Sequence, residues 1–293
     1  MYRGRFAPSP TGHLHLGSLV AAMASYCDAR HHHGQWLLRI EDVDQSRSHE
    51  GVADHIIATL ARYGFFWDEP IVYQSQRTAR YDAALARLMA AHHVYRCVCS
   101  RQKLQGLPKG VTGEPIYSQD CRHLSDESLR NARHFAWRVK VDTPAQTHPL
   151  ISFEDRIAGR FSQDLVKDHG DFIVKRRDGY YAYHLSVVVD DAEQNITHIV
   201  RGADLLNNTP RHLWLNTLLG YPNASYAHVP VVTNARGEKL SKQTLAPMLP
   251  DDPMPSLLKA WQFLGQVDPD RGFDTPAAFW AWAFGAWRGF AQK

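Results

Sequence analysis

The chain has 293 residues, of which 44% are hydrophobic and 22% are charged, and this composition excludes a disordered or fibrous protein. A net charge of +3 is too small for a protein that binds nucleic acid through bulk charge alone. The first residues lack the apolar run of a signal peptide, and the apolar segment 277–287 is too short to cross a bilayer, so we expect a cytoplasmic protein with no membrane partner.

Strand and helix patterns alternate through the first part of the chain. Strands are predicted at 2–7 and 36–40, and helices are predicted at 16–33, 52–63 and 78–92. Such alternation is typical of an α/β fold with a parallel sheet, in which ligands bind at the carboxyl ends of the strands.

The pattern changes after Tyr95, where glycine, proline and Asp-Gly turns separate short apolar runs. Strands are predicted at 135–141, 161–166 and 171–175, which indicates a subdomain inserted over residues 96–180. This segment contains 15 Lys and Arg against 11 Asp and Glu, so a polyanion would dock here rather than elsewhere.

The α/β pattern resumes with an apolar segment at 182–191 and a strand at 197–201. Thr209 is predicted to cap the next helix, which has Pro210 in its first turn and ends at Gly220. A last strand is predicted at 229–232, and helices fill the remainder of the chain.

The most informative stretch runs from Arg5 to Ser18, through a strand, a Pro/Gly turn and a helix start. Helix N-termini present unpaired N–H groups and partial positive charge, which suits a nucleotide phosphate. His15 can donate to phosphate oxygens, and the backbone at Gly17 and Ser18 allows close approach. A three-residue motif of this kind is common by chance, so by itself it favours the interpretation that the histidine is a solvated turn residue.

A second polar element is the loop that contains Lys239, Ser241 and Lys242. Two lysines around a serine suit a clamp for a departing pyrophosphate, with Lys242 as a point charge. By itself such a lysine pair is usually solvated surface. Together with the first turn it predicts a nucleotide site.

The stretch PSPTGHLHLGS resembles the HIGH signature of class I aminoacyl-tRNA synthetases, and KLSK resembles their KMSKS loop. The stretches RFAPSPTG, LLRIEDVDQSR, YHLSVVVDD and HIVRGADLL resemble the glutamyl and glutaminyl branch of that class. Two positions depart from the signatures: Ser18 replaces the second histidine, and Gln243 replaces the last serine. Both His15 and Lys242 are present, so the resemblance implies that they stabilise the reacting phosphates of ATP.

The resemblance implies a class I synthetase fold, in which a Rossmann-like parallel sheet is interrupted by an α+β subdomain. The predicted division is a first catalytic half at 1–95, the insertion at 96–180, a second catalytic half at 181–240, and a loop with a short helical buttress at 241–293. No anticodon-binding domain is expected, because only residues 243–293 follow Lys242.

An acidic amino acid brings two carboxylates and an ammonium, so its pocket needs cations and an anion. Arg5 and Arg201 can hold carboxylates, Glu41 can hold the ammonium, and Tyr183 can add a hydrogen bond. The resemblance implies that these positions bind glutamate, together with the neighbouring segment of Phe6, Ala7, Pro8 and Ser9. Which arginine binds the side-chain carboxylate stays open. Asp42, Asp44 and Arg47 are interpreted as a structural ion network behind the pocket.

Three cysteines lie close together in the sequence at Cys97, Cys99 and Cys121. Zn²⁺ prefers four soft ligands in a tetrahedron, but this spacing by itself leaves a metal site and free thiols equally open. The resemblance implies a zinc site, because short relatives in the branch carry this cysteine pattern with a tyrosine as the fourth ligand, here Tyr117. His123 is the competing fourth ligand.

The resemblance is greatest to the short members of the branch that glutamylate queuosine in the anticodon of tRNA(Asp). It implies ATP-dependent activation of L-glutamate, with Mg²⁺ on the nucleotide, followed by transfer to that base. We expect a monomer. The alternatives are a glutamyl-tRNA synthetase that charges tRNA(Glu), and a non-catalytic tRNA-binding module. The expected lack of an anticodon-binding domain argues against the first, and the presence of His15, Lys242 and the arginines argues against the second.

Overall fold

The computed structural model describes residues 1–125, 134–234, 237, 240 and 247–290. Its strands are β1 (Arg3–Phe6), β2 (Gln35–Ile40), β3 (Val72–Tyr73), β4 (Val94–Cys97), β5 (Ala136–Val139), β6 (Leu150–Asp155), β7 (Gly159–Asp164), β8 (Phe172–Lys175), β9 (His198–Gly202) and β10 (Ser225–Val229). Its helices are α1 (Leu16–His31), α2 (Val52–Arg62), α3 (Thr78–Ala90), α4 (Arg101–Gln105), α5 (Leu165–Asp168), α6 (Tyr183–Glu193), α7 (Thr209–Leu219), α8 (Met254–Phe263) and α9 (Pro276–Ala286).

Parallel strands form the centre of the fold, as the alternating pattern predicts. The first sheet has the order β1-β2-β3, and a second sheet has the order β7-β6-β10-β9 with parallel pairing of β9, β10 and β6. The two sheets meet beside β1, where the backbone N–H of Thr197 donates to the carbonyl of Arg3 at 3.0 Å. The α/β class is therefore confirmed.

The inserted segment contributes to two different sheets. Strands β4, β5 and β8 form an antiparallel sheet of their own, whereas the hairpin of β6 and β7 extends the second parallel sheet through β10. The domain boundaries at 95/96 and 180/181 stay a prediction.

Three local predictions are wrong, each for a physical reason. The predicted strand 161–166 is divided, because the Asp164 side chain accepts from two backbone N–H groups and starts α5. The last strand ends at Val229, since Pro230 has no N–H for a ladder hydrogen bond. Thr209 is the first residue of α7 rather than its cap, and its hydroxyl accepts instead from Arg201 at 2.8 Å.

The two late helices support the N-terminal part of the fold. Helices α8 and α9 pack against α1, and Trp261, Phe279 and Trp280 are buried in the same hydrophobic core as β1 and β2. The indole N–H of Trp280 donates to the carbonyl of Tyr63 at 2.9 Å. This packing fixes the position of α1, whose first residues form the predicted nucleotide site. Within the described part of the chain, none of the helices has the length and apolar character needed to cross a membrane.

Candidate active site

His15 is the N-cap of α1. Its Nδ1 accepts from the backbone N–H of Ser18, and the Ser18 hydroxyl accepts from the backbone N–H of His15, both at 3.4 Å. These reciprocal contacts form a capping box. Because Nδ1 accepts, the proton of the neutral imidazole is on Nε2, where it can be donated to an anion at the helix N-terminus. The backbone N–H of Ser18, the residue that replaces the second histidine of the HIGH signature, thus orients the first one.

Gly17 provides the space that this arrangement needs. A Cβ atom at this position would lie 3.0 Å from Cε1 and 3.1 Å from Nδ1 of His15, closer than ordinary van der Waals contact. The same Cβ would lie 3.7 Å from the carbonyl oxygen of Leu240. The carbonyl oxygen of Leu240 therefore lies beside the start of α1. The predicted phosphate ligands Lys239, Ser241 and Lys242 lie outside the described residues.

A cavity of about 250 Å³ opens at the carboxyl ends of β1, β2 and β9. It is lined by Arg5, Phe6, Ala7, Ser9, Ala21, Glu41, Tyr183, Val200, Arg201, Gly202 and Leu205. The structure thus brings together every predicted glutamate-binding residue except Pro8. Pro8 does not line the cavity, but its carbonyl accepts from the backbone N–H of Glu41 at 3.0 Å and so helps to hold the Glu41 backbone in place. We name this space the smaller cavity.

Two charged residues that the sequence reasoning did not identify hold the predicted ones in place. Asp191 lies 3.1 Å from Arg5 and 2.8 Å from Arg39, and Arg39 in turn lies 3.3 Å from Glu41. All these side chains are almost completely buried, and a buried charge without a partner would be very costly. The signal that could have revealed Arg39 and Asp191 is a charged residue inside an otherwise apolar strand or helix.

Burial raises the pKa of Glu41 to about 6, although Arg39 and Arg5 favour its charged form and partly oppose this shift. Burial likewise raises the pKa of Tyr183, so this phenol keeps its proton at neutral pH. The smaller cavity therefore offers a hydrogen-bond donor beside two cationic side chains, Arg5 and Arg201, and a carboxylate whose charge changes near pH 6.

A larger cavity of about 670 Å³ adjoins the smaller one, and the two share Ser9, Glu41, Tyr183 and Leu205 in their walls. It extends towards the antiparallel sheet, where Arg138, Asp171 and Phe172 line it. A ligand in the smaller cavity can thus be reached by a second ligand from the side of the insertion.

The predicted ion network is confirmed for Asp44 and Arg47 but not for Asp42, and the two joined residues line the larger cavity. Asp44 accepts hydrogen bonds from Arg47, Arg176 and Ser46. Burial by itself would raise the pKa of Asp44, but these hydrogen bonds outweigh burial and lower the pKa to about 2. Asp42 instead accepts from both the backbone and the hydroxyl of Ser75.

The three cysteines of the insertion converge. The sulfur atoms of Cys97, Cys99 and Cys121 lie within 4.8 Å of one another, and the Tyr117 hydroxyl lies 3.3 Å from the sulfur of Cys99. Tetrahedral zinc with Zn–S bonds of about 2.3 Å requires sulfur atoms ~3.8 Å apart, which this cluster approaches. His123 is exposed and does not belong to the cluster. The three thiols fit zinc, and the Tyr117 hydroxyl lies beside them.

The guanidinium of Arg138 lies over the ring of Tyr117, 4.1 Å from its centroid. Burial by itself would raise the pKa of the Cys97 thiol, but the charge and hydrogen bond of Arg138 outweigh burial and lower the pKa. Burial and the neighbouring thiols raise the pKa of Cys99 to about 11. Arg138 also lines the larger cavity, so it connects the cysteine cluster to the candidate active site.

These features define the catalytic domain of a class I aminoacyl-tRNA synthetase. The family model described as tRNA synthetases class I (E and Q), catalytic domain, matches residues 1–261. The glutamyl-Q tRNA(Asp) synthetase of Neisseria meningitidis serogroup B is 47% identical over 98% of this chain and 96% of its own length. That of Burkholderia cenocepacia is 50% identical over the same shares of both chains. The chain therefore belongs to the glutamyl-Q tRNA(Asp) synthetase family, within class I.

Solved structures agree with this assignment. The chain is similar to a glutamate-tRNA synthetase from Elizabethkingia anophelis, with 26% identity and a TM-score of 0.70 over 83% of this chain. A glutamate tRNA ligase from Elizabethkingia meningosepticum, solved in complex with its amino acid, has 27% identity and a TM-score of 0.69. The alignments cover 52% of both solved chains, so this chain spans about half their length. Use of ATP follows from membership of the class I family.

Proposed function

We propose that the chain activates L-glutamate with ATP and transfers the glutamyl group to queuosine in the anticodon of tRNA(Asp). The observation that carries this proposal is the smaller cavity, in which Arg5, Arg201, Glu41 and Tyr183 surround a space for one acidic amino acid. The choice of tRNA(Asp) as the acceptor is supported by relatives that are 46–50% identical over 98% of the chain and are named glutamyl-Q tRNA(Asp) synthetase.

In the first step a carboxylate oxygen of glutamate attacks the α-phosphorus of ATP. An O–P bond forms, the bond to the β-phosphate oxygen breaks, and pyrophosphate leaves with the electron pair. Such a step depends on positioned donors, because charge spreads over the phosphate oxygens in the transition state. The Nε2–H of His15 stabilises this charge at the start of α1, and Lys242 holds the leaving pyrophosphate. Mg²⁺ accompanies the nucleotide and neutralises part of its charge.

In the second step a hydroxyl of the cyclopentene diol of queuosine attacks the glutamyl carbonyl carbon. An ester bond forms, the acyl-phosphate bond breaks, and AMP leaves with the electron pair while its phosphate takes the proton of the hydroxyl. The larger cavity supports this order, because it adjoins the smaller one through the shared wall residues Glu41 and Tyr183. One zinc ion per chain, bound by Cys97, Cys99, Cys121 and Tyr117, would stabilise the inserted subdomain.

The affinity for glutamate should depend on pH through Glu41. The carboxylate that binds the substrate ammonium must be ionised, and the raised pKa of about 6 means that it gains a proton as the pH falls below 6. The KM for glutamate should therefore rise about fivefold between pH 6 and pH 5 and be nearly constant above about pH 7. The side-chain carboxylate of glutamate, with a pKa of about 4.3, stays mostly ionised down to pH 5.

The measurement is ATP–pyrophosphate exchange between pH 5 and 8. In Glu41→Gln the KM should be high throughout, and a wild-type-like pH profile in this variant would contradict the assignment.

The acceptor is tested with two preparations of tRNA(Asp), one with queuosine and one with guanosine at the same anticodon position. Only the first should accept labelled glutamate, because guanosine lacks the cyclopentene diol. Periodate cleaves the free diol, so treatment of the RNA beforehand should abolish the transfer. Equal labelling of both preparations, or labelling of the 3′ end of tRNA(Glu), would contradict the proposal and favour an ordinary glutamyl-tRNA synthetase.

A further inference from the structure

Four buried side chains form a continuous series from α7 back to the smaller cavity. Nη1 of Arg211 lies 2.8 Å from Nε2 of His184, Nδ1 of His184 lies 3.2 Å from Nε2 of His212, and Nδ1 of His212 lies 3.3 Å from Nη1 of Arg201. Each of the four residues is at most 8% exposed. His184 also lines the larger cavity, so the series connects both cavities.

The protons of this series cannot satisfy all three contacts. Arginine only donates, so the ring nitrogens that face Arg211 and Arg201 would both have to accept. Burial and the nearby arginines lower the pKa of His184 and of His212 well below the ordinary value, so each ring is neutral and has one N–H. If both outer nitrogens accept, the two ring N–H groups point at each other, and the contact between His184 and His212 has two donors and no acceptor. Only two of the three contacts can be hydrogen bonds at one time.

The distances and the surroundings of Arg211 show which of the three contacts is the firmest. The contact at Arg211 is the shortest, and Arg211 is further held by donation from Nε to Nδ1 of His169 at 2.9 Å. His169 in turn contacts Oε1 of Gln163 at 2.8 Å through Nε2, which fixes its tautomer as Nε2–H. Arg211 therefore donates to His184, which places the proton of His184 on Nδ1, 3.2 Å from Nε2 of His212. Nε2 of His212 can accept this proton only when His212 has its own proton on Nδ1.

In that tautomer two donors face each other, the Nδ1–H of His212 and Nη1 of Arg201, and Arg201 lines the smaller cavity. The other nitrogens of Arg201 are well satisfied, because Nε donates to His228 at 3.1 Å and Nη2 donates to Thr209 at 2.8 Å. The remaining contact of Nη1 is the Tyr183 hydroxyl at 3.4 Å, in the wall of the cavity. Nη1 is thus the nitrogen of Arg201 that gains most from an incoming carboxylate.

We propose that Arg211 and His184 are positioning residues for amino-acid binding. They hold His212 in the Nδ1–H tautomer, which prevents the imidazole from accepting from Arg201 and leaves Nη1 for the carboxylate of the substrate. The proposal rests on the proposed function, because it takes the ligand of the smaller cavity to be an acidic amino acid. Without the donor at position 211 the two rings reverse their protons, and His212 then competes with the substrate for Arg201.

The test uses Arg211→Met, which removes the donor, and His184→Phe, which removes the intermediate ring. Long-range ¹H–¹⁵N spectra report the tautomer of His212, whose signals are assigned by their loss in His212→Asn. Both test variants should convert His212 from Nδ1–H to Nε2–H. The KM for glutamate in ATP–pyrophosphate exchange should rise about tenfold, with kcat changed less than about twofold, as expected for a weakened charged hydrogen bond.

Two further variants separate this effect from simple disruption. Arg211→Lys retains a cationic donor and should keep the wild-type tautomer and KM. Thr112→Val removes the hydroxyl that accepts from Nη2 of Arg211 at 2.7 Å but leaves the contact with His184, and it should also behave as wild type.

An Nε2–H tautomer of His212 in the wild-type protein would overturn the proposal. So would a tautomer change in both test variants without a rise in the KM for glutamate. If the wild-type protein does not activate glutamate, the proposed function fails, whereas the spectra still show whether Arg211 sets the tautomer. Should either test variant fail to fold, the other gives the same two readouts.

Discussion

Replacing His15 with asparagine is expected to lower kcat for glutamate-dependent ATP–pyrophosphate exchange by about 10²–10³-fold, the usual loss when one donor to a developing charge is removed. The asparagine oxygen can accept from the backbone N–H of Ser18 as Nδ1 does, so the N-cap of α1 is retained. The Nε2–H donor is lost. Melting temperature, measured by circular dichroism, should therefore change by no more than a few degrees while exchange nearly disappears.

The matched control for this variant is Ser18→Ala. It removes the hydroxyl that accepts from the backbone of His15 but keeps the imidazole. Loss of half a capping box costs about 0.5–2 kcal/mol of stability, so this variant should melt earlier and yet retain most of the exchange activity. If His15→Asn keeps more than a tenth of the wild-type rate, His15 only caps the helix and the assigned role is wrong.

The parallel part of the fold could be predicted because local patterns determine it. Apolar periodicity predicted β1, α1 and β2 to within a few residues, since each element buries a continuous apolar face. The hairpin of β6 and β7 could not be placed, because its partner β10 lies 70 residues later in the chain. Pairing of that kind depends on tertiary packing, which periodicity does not report.

The candidate site was predicted in the same uneven way. Arg5, Glu41, Tyr183 and Arg201 were predicted because their chemistry complements an acidic amino acid, and the smaller cavity unites them. Asp191 was missed, because its role is to neutralise buried arginines rather than to contact a ligand. The ligand-contacting residues of a polar pocket follow from the chemistry of its substrate. The residues that support them can be predicted only when it is known which charged side chains are buried together.

The cysteine cluster is expected to bind one zinc ion, and its removal should have a large effect on stability. Structural zinc contributes about 10–16 kcal/mol of apparent binding free energy in small domains, and three buried thiols repel one another once ionised without a cation. In Cys121→Ser, metal analysis should find no zinc, and the melting temperature should fall by at least about 5 °C. Cys27→Ser is the matched control, because Cys27 is buried in α1 outside the cluster and its loss should leave the zinc content unchanged.

The same variant should separate the two steps of the reaction. Arg138 lies over the ring of Tyr117 and also lines the larger cavity, whereas none of the described residues of the insertion lines the smaller cavity. Loss of zinc in Cys121→Ser should therefore reduce glutamyl transfer to tRNA(Asp) at least tenfold and change ATP–pyrophosphate exchange by less than about threefold. Tyr117→Phe should weaken zinc binding, and His123→Ala should not. A zinc content that falls in His123→Ala but not in Tyr117→Phe would show that the histidine is the fourth ligand. An equal loss of exchange and transfer in Cys121→Ser would show that the cluster supports the whole fold rather than the acceptor side.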